Sequence, residues 1–244
     1  MRRQQSKSHF FSRYLRIILF AFFVSGIAAL LAIAAQKTWV WMQNPTAFPI
    51  KTIQIVGELT HVPPQQIQAI TKTHLSGGFF SLQINSAKQA ILALPWIADV
   101  SFRRVWPGQL DVYITEQKPV ARFGKNGVLN ADNVIFYPNA NSIPDSLPTF
   151  YGEANQTALL LSYYQALNVL AQQLNLTVES LRVNTEQAWQ LELSNHLRVQ
   201  LGRTDALDRF RRFVAAYPKI SAQSQKTMVS ADLRYPDGIA VAYQ

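Results

Sequence analysis

The sequence predicts a membrane-anchored α+β protein. It begins with a single N-terminal transmembrane helix, continues as a small β-α-α-β-β domain and ends as a strand-rich domain with two helices. Three observations carry this. A 19-residue uncharged stretch follows a basic head. Strand and helix periodicities then run in the order strand, helix, helix, strand, strand, which puts two helices on one face of a small sheet. Past residue 118, short alternating stretches and turn residues dominate, with two helical patterns among them. The expected organisation is a basic head over 1–16, a transmembrane helix with an interfacial end over 17–42, a first domain over 48–117 and a second over 118–244.

The anchor reads from "IILFAFFVSGIAALLAIAA", Ile17 to Ala35. As a helix it spans about 28 Å, near the hydrocarbon thickness of a bilayer. Eleven of the 19 residues are Ile, Leu, Phe or Val, which outweigh one Ser and one Gly. Trp39 and Trp41 follow, where amphipathic rings favour the interface. Arg2, Arg3, Lys7, Arg13 and Arg16 precede the stretch, and no acid occurs before Glu58. That asymmetry predicts a cytoplasmic N-terminus and an exported remainder. A cleaved signal peptide is the rival reading, since Ala32-Ile33-Ala34 has the small-x-small pattern of a cleavage site. Both readings export the rest of the chain.

The formal charge of +9 suggests nucleic acid, but its distribution argues against it. Setting the five head residues aside leaves 18 basic against 14 acidic residues, a balance of +4. That is no phosphate-binding surface. There is no cysteine, so disulfide and thiol chemistry are excluded. His9, His61, His74 and His196 are scattered without metal-ligand spacing. No nucleophile elbow, Walker A or dinucleotide fingerprint occurs. Neither a cofactor, a metal site nor a small-molecule substrate is expected. Two facing carboxylates leave little trace in sequence, so an exported cell-wall hydrolase stays as the alternative.

Along the first domain, "IKTIQIVG" is a strand closed by Gly57, and Pro63-Pro64 opens a helix carrying Ile67 and Ile70. A second helix begins near Asn85-Ser86 and stops at Pro95. "VSFRRVWPGQLDVYITE" is a hairpin turning at Pro107-Gly108. Trp96 and Trp106 are expected to pack its core. In the second domain, turns fall at Gly124–Gly127 and Ala131–Asn133, and a helix covers Thr157 to Leu174. Trp189, Leu191 and Leu193 share a strand face. Another helix follows Thr204, with Asp205 and Asp208 near its start and Pro218 closing it. The last hairpin alternates from Val229 to Tyr235, turns at Pro236-Asp237-Gly238 and resumes at Ile239, Val241 and Tyr243. Such a mostly uncharged final strand is either covered by the fold or left open for a partner.

The ordered set Leu94-Pro95-Trp96-Ile97, Val100, Trp106-Pro107, Leu110, Glu116, Pro119, Ala121 and Arg122 resembles the FtsQ/DivIB family of cell-division proteins. So do "LPTFYG" (147–152), "LGRTDALDRFRRFVAAYP" (201–218) and "ADLRY" with Gly238. The resemblance covers nearly the whole chain. It implies a single-pass bacterial inner-membrane protein at the division septum, with its C-terminal domains periplasmic. The first domain would be a POTRA module and the second a β-domain. It implies a non-enzymatic link between early and late division proteins. FtsB- and FtsL-like partners would dock on the β-domain, by strand addition to its C-terminal edge, and an FtsK-like partner on the POTRA module. Carried over by position, Arg234 and Tyr235 match the partner-contacting pair, and Gly238, Ile239, Ala240 and Val241 the pairing strand. Tyr243 stands where some relatives have Trp. Trp189 is placed with the docking residues, beside a stretch where some relatives carry basic residues and this chain has Glu186-Gln187-Ala188. An outer-membrane POTRA transporter would need a long alternating barrel after the module, which this length does not offer.

Overall fold

The computed structural model describes residues 8–223, 225–236 and 238–244, with side chains from Leu19 onward. The expected residues Arg2, Arg3 and Lys7 of the basic head lie outside the described residues, as does Asp237 of the last turn. Helix α1 runs Ser8–Met42. From Leu19 to Met42 it is long and apolar enough to cross a membrane, and none of it is buried within the protein. Two of its polar side chains bond inward, Ser25 to the Phe22 carbonyl and Thr38 to that of Ala34. A helix apolar on all sides with its backbone satisfied suits lipid.

The chain forms two compact units, one of residues up to Ala93, α1 included, with Asp99–Thr115, the other of Leu94–Ala98 with Glu116–Gln244. The first unit holds β1 (Thr52–Val56), α2 (Pro64–His74), α3 (Asn85–Leu92), most of β2 (Ile97–Val105) and β3 (Gln109–Glu116). Its sheet order is β1-β3-β2, with β1 and β3 parallel. Pro64 sits in the first turn of α2, where its missing N–H costs nothing, and Lys72 and His74 sit in the last turn, where the helix dipole favours them. Ile67, Ala87, Ile91, Val100, Leu110 and Val112 fill the core.

The second unit is a nine-stranded sheet with two helices. Its elements are β4 (Pro119–Phe123), β5 (Gly127–Asn130), β6 (Ile135–Phe136), β7 (Thr149–Tyr151), α4 (Thr157–Gln172), β8 (Val178–Val183), β9 (Trp189–Leu193), β10 (Arg198–Gly202), α5 (Ala206–Ala222), β11 (Met228–Asp232) and β12 (Ala240–Tyr243). The order is β12-β11-β10-β9-β8-β7-β4-β5-β6. Parallel neighbours need a crossover, and two of them get a helix: α4 joins β7 to β8, and α5 joins β10 to β11. Phe150, Leu160, Leu167, Leu181, Leu191, Phe210 and Phe213 form the core beneath these helices. The α+β class, with its anchor, small domain and strand-rich domain, is thus as the sequence predicts.

Three expectations are corrected. Trp96 is buried, but in the second unit: it packs edge-on against Phe136 at 5.2 Å, and its Nε1 donates to Ser142 Oγ at 2.8 Å. Trp106 is not core; its ring is largely exposed within an aromatic cluster of the first unit. Pro218 does not end α5, which continues to Ala222. Losing one helical hydrogen bond is tolerated because Tyr217 and Ile220, on either side of it, pack on the core.

Candidate functional site

The expected docking residues gather where β11 meets β12. The ladder of β11 ends at Asp232, although the alternation predicts a strand through Tyr235. The cause is local. The Asp232 carboxylate accepts the Arg234 N–H at 3.0 Å, closing a turn that competes with the ladder. The same carboxylate holds the Arg234 guanidinium, from Nε at 2.9 and 3.0 Å and from Nη2 at 2.6 Å. These bonds to Arg234 push the Asp232 carboxyl below its ordinary value against the opposing effect of burial, and they raise Arg234 further. Gly202, at φ +80°, makes room: a Cβ there would lie 3.2 Å from Arg234 Cγ and 2.5 Å from Arg209 Nη1. Arg209 in turn caps the Leu201 carbonyl at 2.8 Å, and Arg212 donates to the Pro236 carbonyl at 2.6 Å. The turn is therefore pinned from α5. Tyr235, 55% exposed, projects from it without being in a strand.

The strand β12 pairs antiparallel with β11 through Asp232↔Ala240, Ala231↔Val241, Ser230↔Ala242 and Met228↔Tyr243, with Val229 bulged. Ile239, Val241 and Tyr243 pack on the core, and the Tyr243 hydroxyl lies 3.4 Å from the Ile220 carbonyl. Their side chains thus turn inward, and what they offer a partner is main chain. Ala240 and Ala242 are exposed, and a Cβ at the exposed Gly238 would meet nothing within 4 Å. Among the described residues β12 has no strand on its outer side. Half of its backbone N–H and C=O groups therefore point away from β11.

Trp189, expected among the docking residues, has its side chain inside the second unit. It is 4% exposed and stacks on Tyr163 with ring centroids 4.1 Å apart. Its side chain belongs to the core of the second unit. The neighbouring Glu186, standing where some relatives are basic, pairs with Arg203 at 2.6 Å. Sequence reasoning missed the Arg203 pair and the Asp232–Arg234 clamp. The Asp-x-Arg spacing at a strand end is the signal for the latter. Elsewhere in the second unit, an open groove of about 730 Å³ lies over the sheet, lined by Tyr151, Glu179, Arg182, Gln190, Glu192 and Arg198 among others. Glu179 and Glu192 both approach His196 at 3.9 Å from well-exposed positions. Arg182 covers the Tyr151 ring at 4.0 Å.

The chain matches two family models in order. Residues 48–117 match the FtsQ-type POTRA domain, and residues 120–234 match the C-terminal domain of the cell division protein FtsQ/DivIB. This chain belongs to the FtsQ/DivIB family. It is 32% identical over 222 residues to cell division protein FtsQ of Coxiella burnetii, covering 91% of each chain. It is 32% identical to that of Allochromatium vinosum, over 89% of this chain and 87% of the relative. With that of Burkholderia pseudomallei the identity is 31%, over 88% and 87%. The matched C-terminal model ends at Arg234, so Tyr235 and β12 lie beyond it. Membership makes this a cell-division protein, and α1 fits a single membrane anchor.

Proposed function

We propose that the chain is a non-enzymatic docking component of the bacterial division machinery, joining early to late division proteins at the septum. In this reading residues 17–42 anchor it in the inner membrane with a cytoplasmic head. The POTRA domain (48–117) and β-domain (118–244) stand in the periplasm. An FtsK-like partner meets the POTRA domain. An FtsB- and FtsL-like complex meets the β-domain, a segment of it adding as a strand to β12. The observation that carries this is the open outer edge of β12, uncharged and faced by two alanines. Strand addition draws affinity from main-chain bonds. About five such bonds, at ~0.5–1.5 kcal/mol net each, leave little after association costs. Side-chain anchors are needed, and Arg234 and Tyr235, of favoured hot-spot types, sit beside the edge. Confinement to one membrane raises effective concentration, so a modest affinity suffices.

The test compares the full chain in nanodiscs with one ending at Tyr235, for affinity to the FtsB–FtsL-like ectodomains. Loss of binding with an intact circular-dichroism spectrum is expected. Equal binding by both would remove β12 as the docking edge.

A further inference from the structure

The chain does not swing free where α1 ends. The Ser81 hydroxyl donates to the Gln43 carbonyl at 2.8 Å, Phe79 N–H to the Phe48 carbonyl at 2.7 Å, and Lys51 N–H to the Gly108 carbonyl at 2.7 Å. Gly78 lies so close that a Cβ would fall 2.8 Å from Pro45 Cα and 2.9 Å from the Phe48 carbonyl oxygen. The stretch from 43 to 51 is thus seated on the POTRA-type unit, and is no slack tether.

Aromatic rings collect on that seat. Phe48 lies 4.9 Å from Trp41, 5.1 Å from Phe80 and 5.9 Å from Trp106, centroid to centroid. Such a cluster is ordinarily core, yet Trp106 is 59%, Trp41 57% and Phe80 40% exposed. Large rings left open together mark a contact surface. Continuity with α1 says what covers it. The 24 residues Leu19–Met42 rise about 36 Å, more than the ~30 Å hydrocarbon layer. Trp39 and Trp41 at the helix end therefore reach the headgroup layer, where such rings partition. The rings that continue the cluster from Trp41 lie at nearly that depth. Basic groups flank them: Lys51 packs beside Gly108, and Arg104 donates to the Leu82 carbonyl at 3.1 Å. Both suit lipid phosphates.

We propose that Trp41, Phe48, Phe80 and Trp106 form an aromatic footing that rests the POTRA-type unit in the headgroup layer of the bilayer α1 spans. The footing sets how the domain stands on the membrane. It rests on the reading of α1 as the membrane anchor.

The absence of cysteine allows single nitroxide labels in the full chain, at Phe80→Cys, Glu58→Cys and Gly26→Cys. A Cβ at Gly26 meets nothing within 4 Å, and Glu58 lies past the far end of β1, about 17 Å along the strand. The chains are placed in phosphatidylethanolamine–phosphatidylglycerol nanodiscs, and collisions with oxygen and with an aqueous nickel chelate are compared. The label at position 80 is expected to favour oxygen several-fold over the label at 58. If 80 matches 58 while 26 is in hydrocarbon, the footing is wrong and the anchor stands. If 26 is also aqueous, the anchor reading falls and the footing with it. If 80 is shielded only after the FtsB–FtsL-like complex is added, the surface is a protein contact and the proposal is overturned. In the unlabelled chain, brominated lipids are expected to quench tryptophan emission, and Trp106→Phe to lower the quenchable share. An unchanged share would also refute the footing.

Discussion

At one edge of the nine-stranded sheet β6 runs for two residues; at the other β12 runs for four. The difference goes beyond length. Before β6, the Asn130 side-chain oxygen accepts from the N–H groups of Asp132 at 2.9 Å and Val134 at 2.8 Å, so a tight turn takes backbone that a longer strand would expose. After it comes Pro138, which cannot donate to a ladder, and the Trp96 ring covers Phe136. These are the usual means of blunting an edge. The β12 edge has none of them. It has no charge, no proline within the strand and small exposed side chains, and the Asp232–Arg234 clamp and the Arg212 bond to the Pro236 carbonyl stand just before it. One edge carries features that stop pairing, and the other lacks them.

The largest effect short of removing β12 is expected at Tyr235. Tyr235→Glu places a charge where an exposed aromatic now stands beside the open edge. Loss of a hot-spot aromatic costs about 2 kcal/mol or more, so Kd for the FtsB–FtsL-like ectodomains should rise roughly 30-fold. The melting temperature should hardly move, because the side chain is largely exposed. Unchanged affinity by isothermal calorimetry would leave β12 without its anchor.

A smaller effect is expected from the clamp. Bonds from Arg234 hold the Asp232 carboxyl below its ordinary value, so the pair contributes stability at pH values above the unfolded value of ~3.9. That contribution is lost only as pH falls through the lower folded value. Between neutral pH and about 5, the hairpin should be insensitive to acid. A carbon-detected titration should give Asp232 a midpoint below the ordinary aspartate value, returning towards it in Arg234→Met. A midpoint at or above the ordinary aspartate value would mean the clamp is not formed in solution. Arg234 is well exposed, so Asp232→Asn should weaken partner affinity only a few-fold.

How much of this was legible depends on distance along the chain. The anchor, the β-α-α-β-β order and the last hairpin are written in local periodicity and turn residues. The alternation of Trp189, Leu191 and Leu193 gives a strand face but not which layer covers it. Tyr163, which does, comes from a helix 26 positions earlier. Trp96 and Trp106 are alike in sequence terms, large rings at element ends. Long-range partners, Phe136 and Ser142 among them, bury the first, while the second joins rings that stay open. Pro218 misleads because propensity yields to the packing of Tyr217 and Ile220. The Asp232–Arg234 clamp is local, but its chemistry competes with the strand alternation around it. The family spacing points to Arg234, Tyr235 and 238–241, and the structure adds which of these side chains are exposed and which turn onto the core.

The smallest effect is expected at the blunted edge. Val134, 51% exposed beside β6, can be replaced by Lys with little lost, since its N–H bond to Asn130 is made by backbone. Stability should stay within about 0.5 kcal/mol, as for most surface substitutions. Partner affinity should not change, because an edge of two residues closed by a turn and a proline has no row of free groups to offer. Val134→Lys therefore separates two explanations of any binding loss in Tyr235→Glu. A specific edge loses affinity at one end of the sheet only. A general electrostatic or folding defect would lose it at both, and an equal loss from Val134→Lys would erase the distinction between the edges.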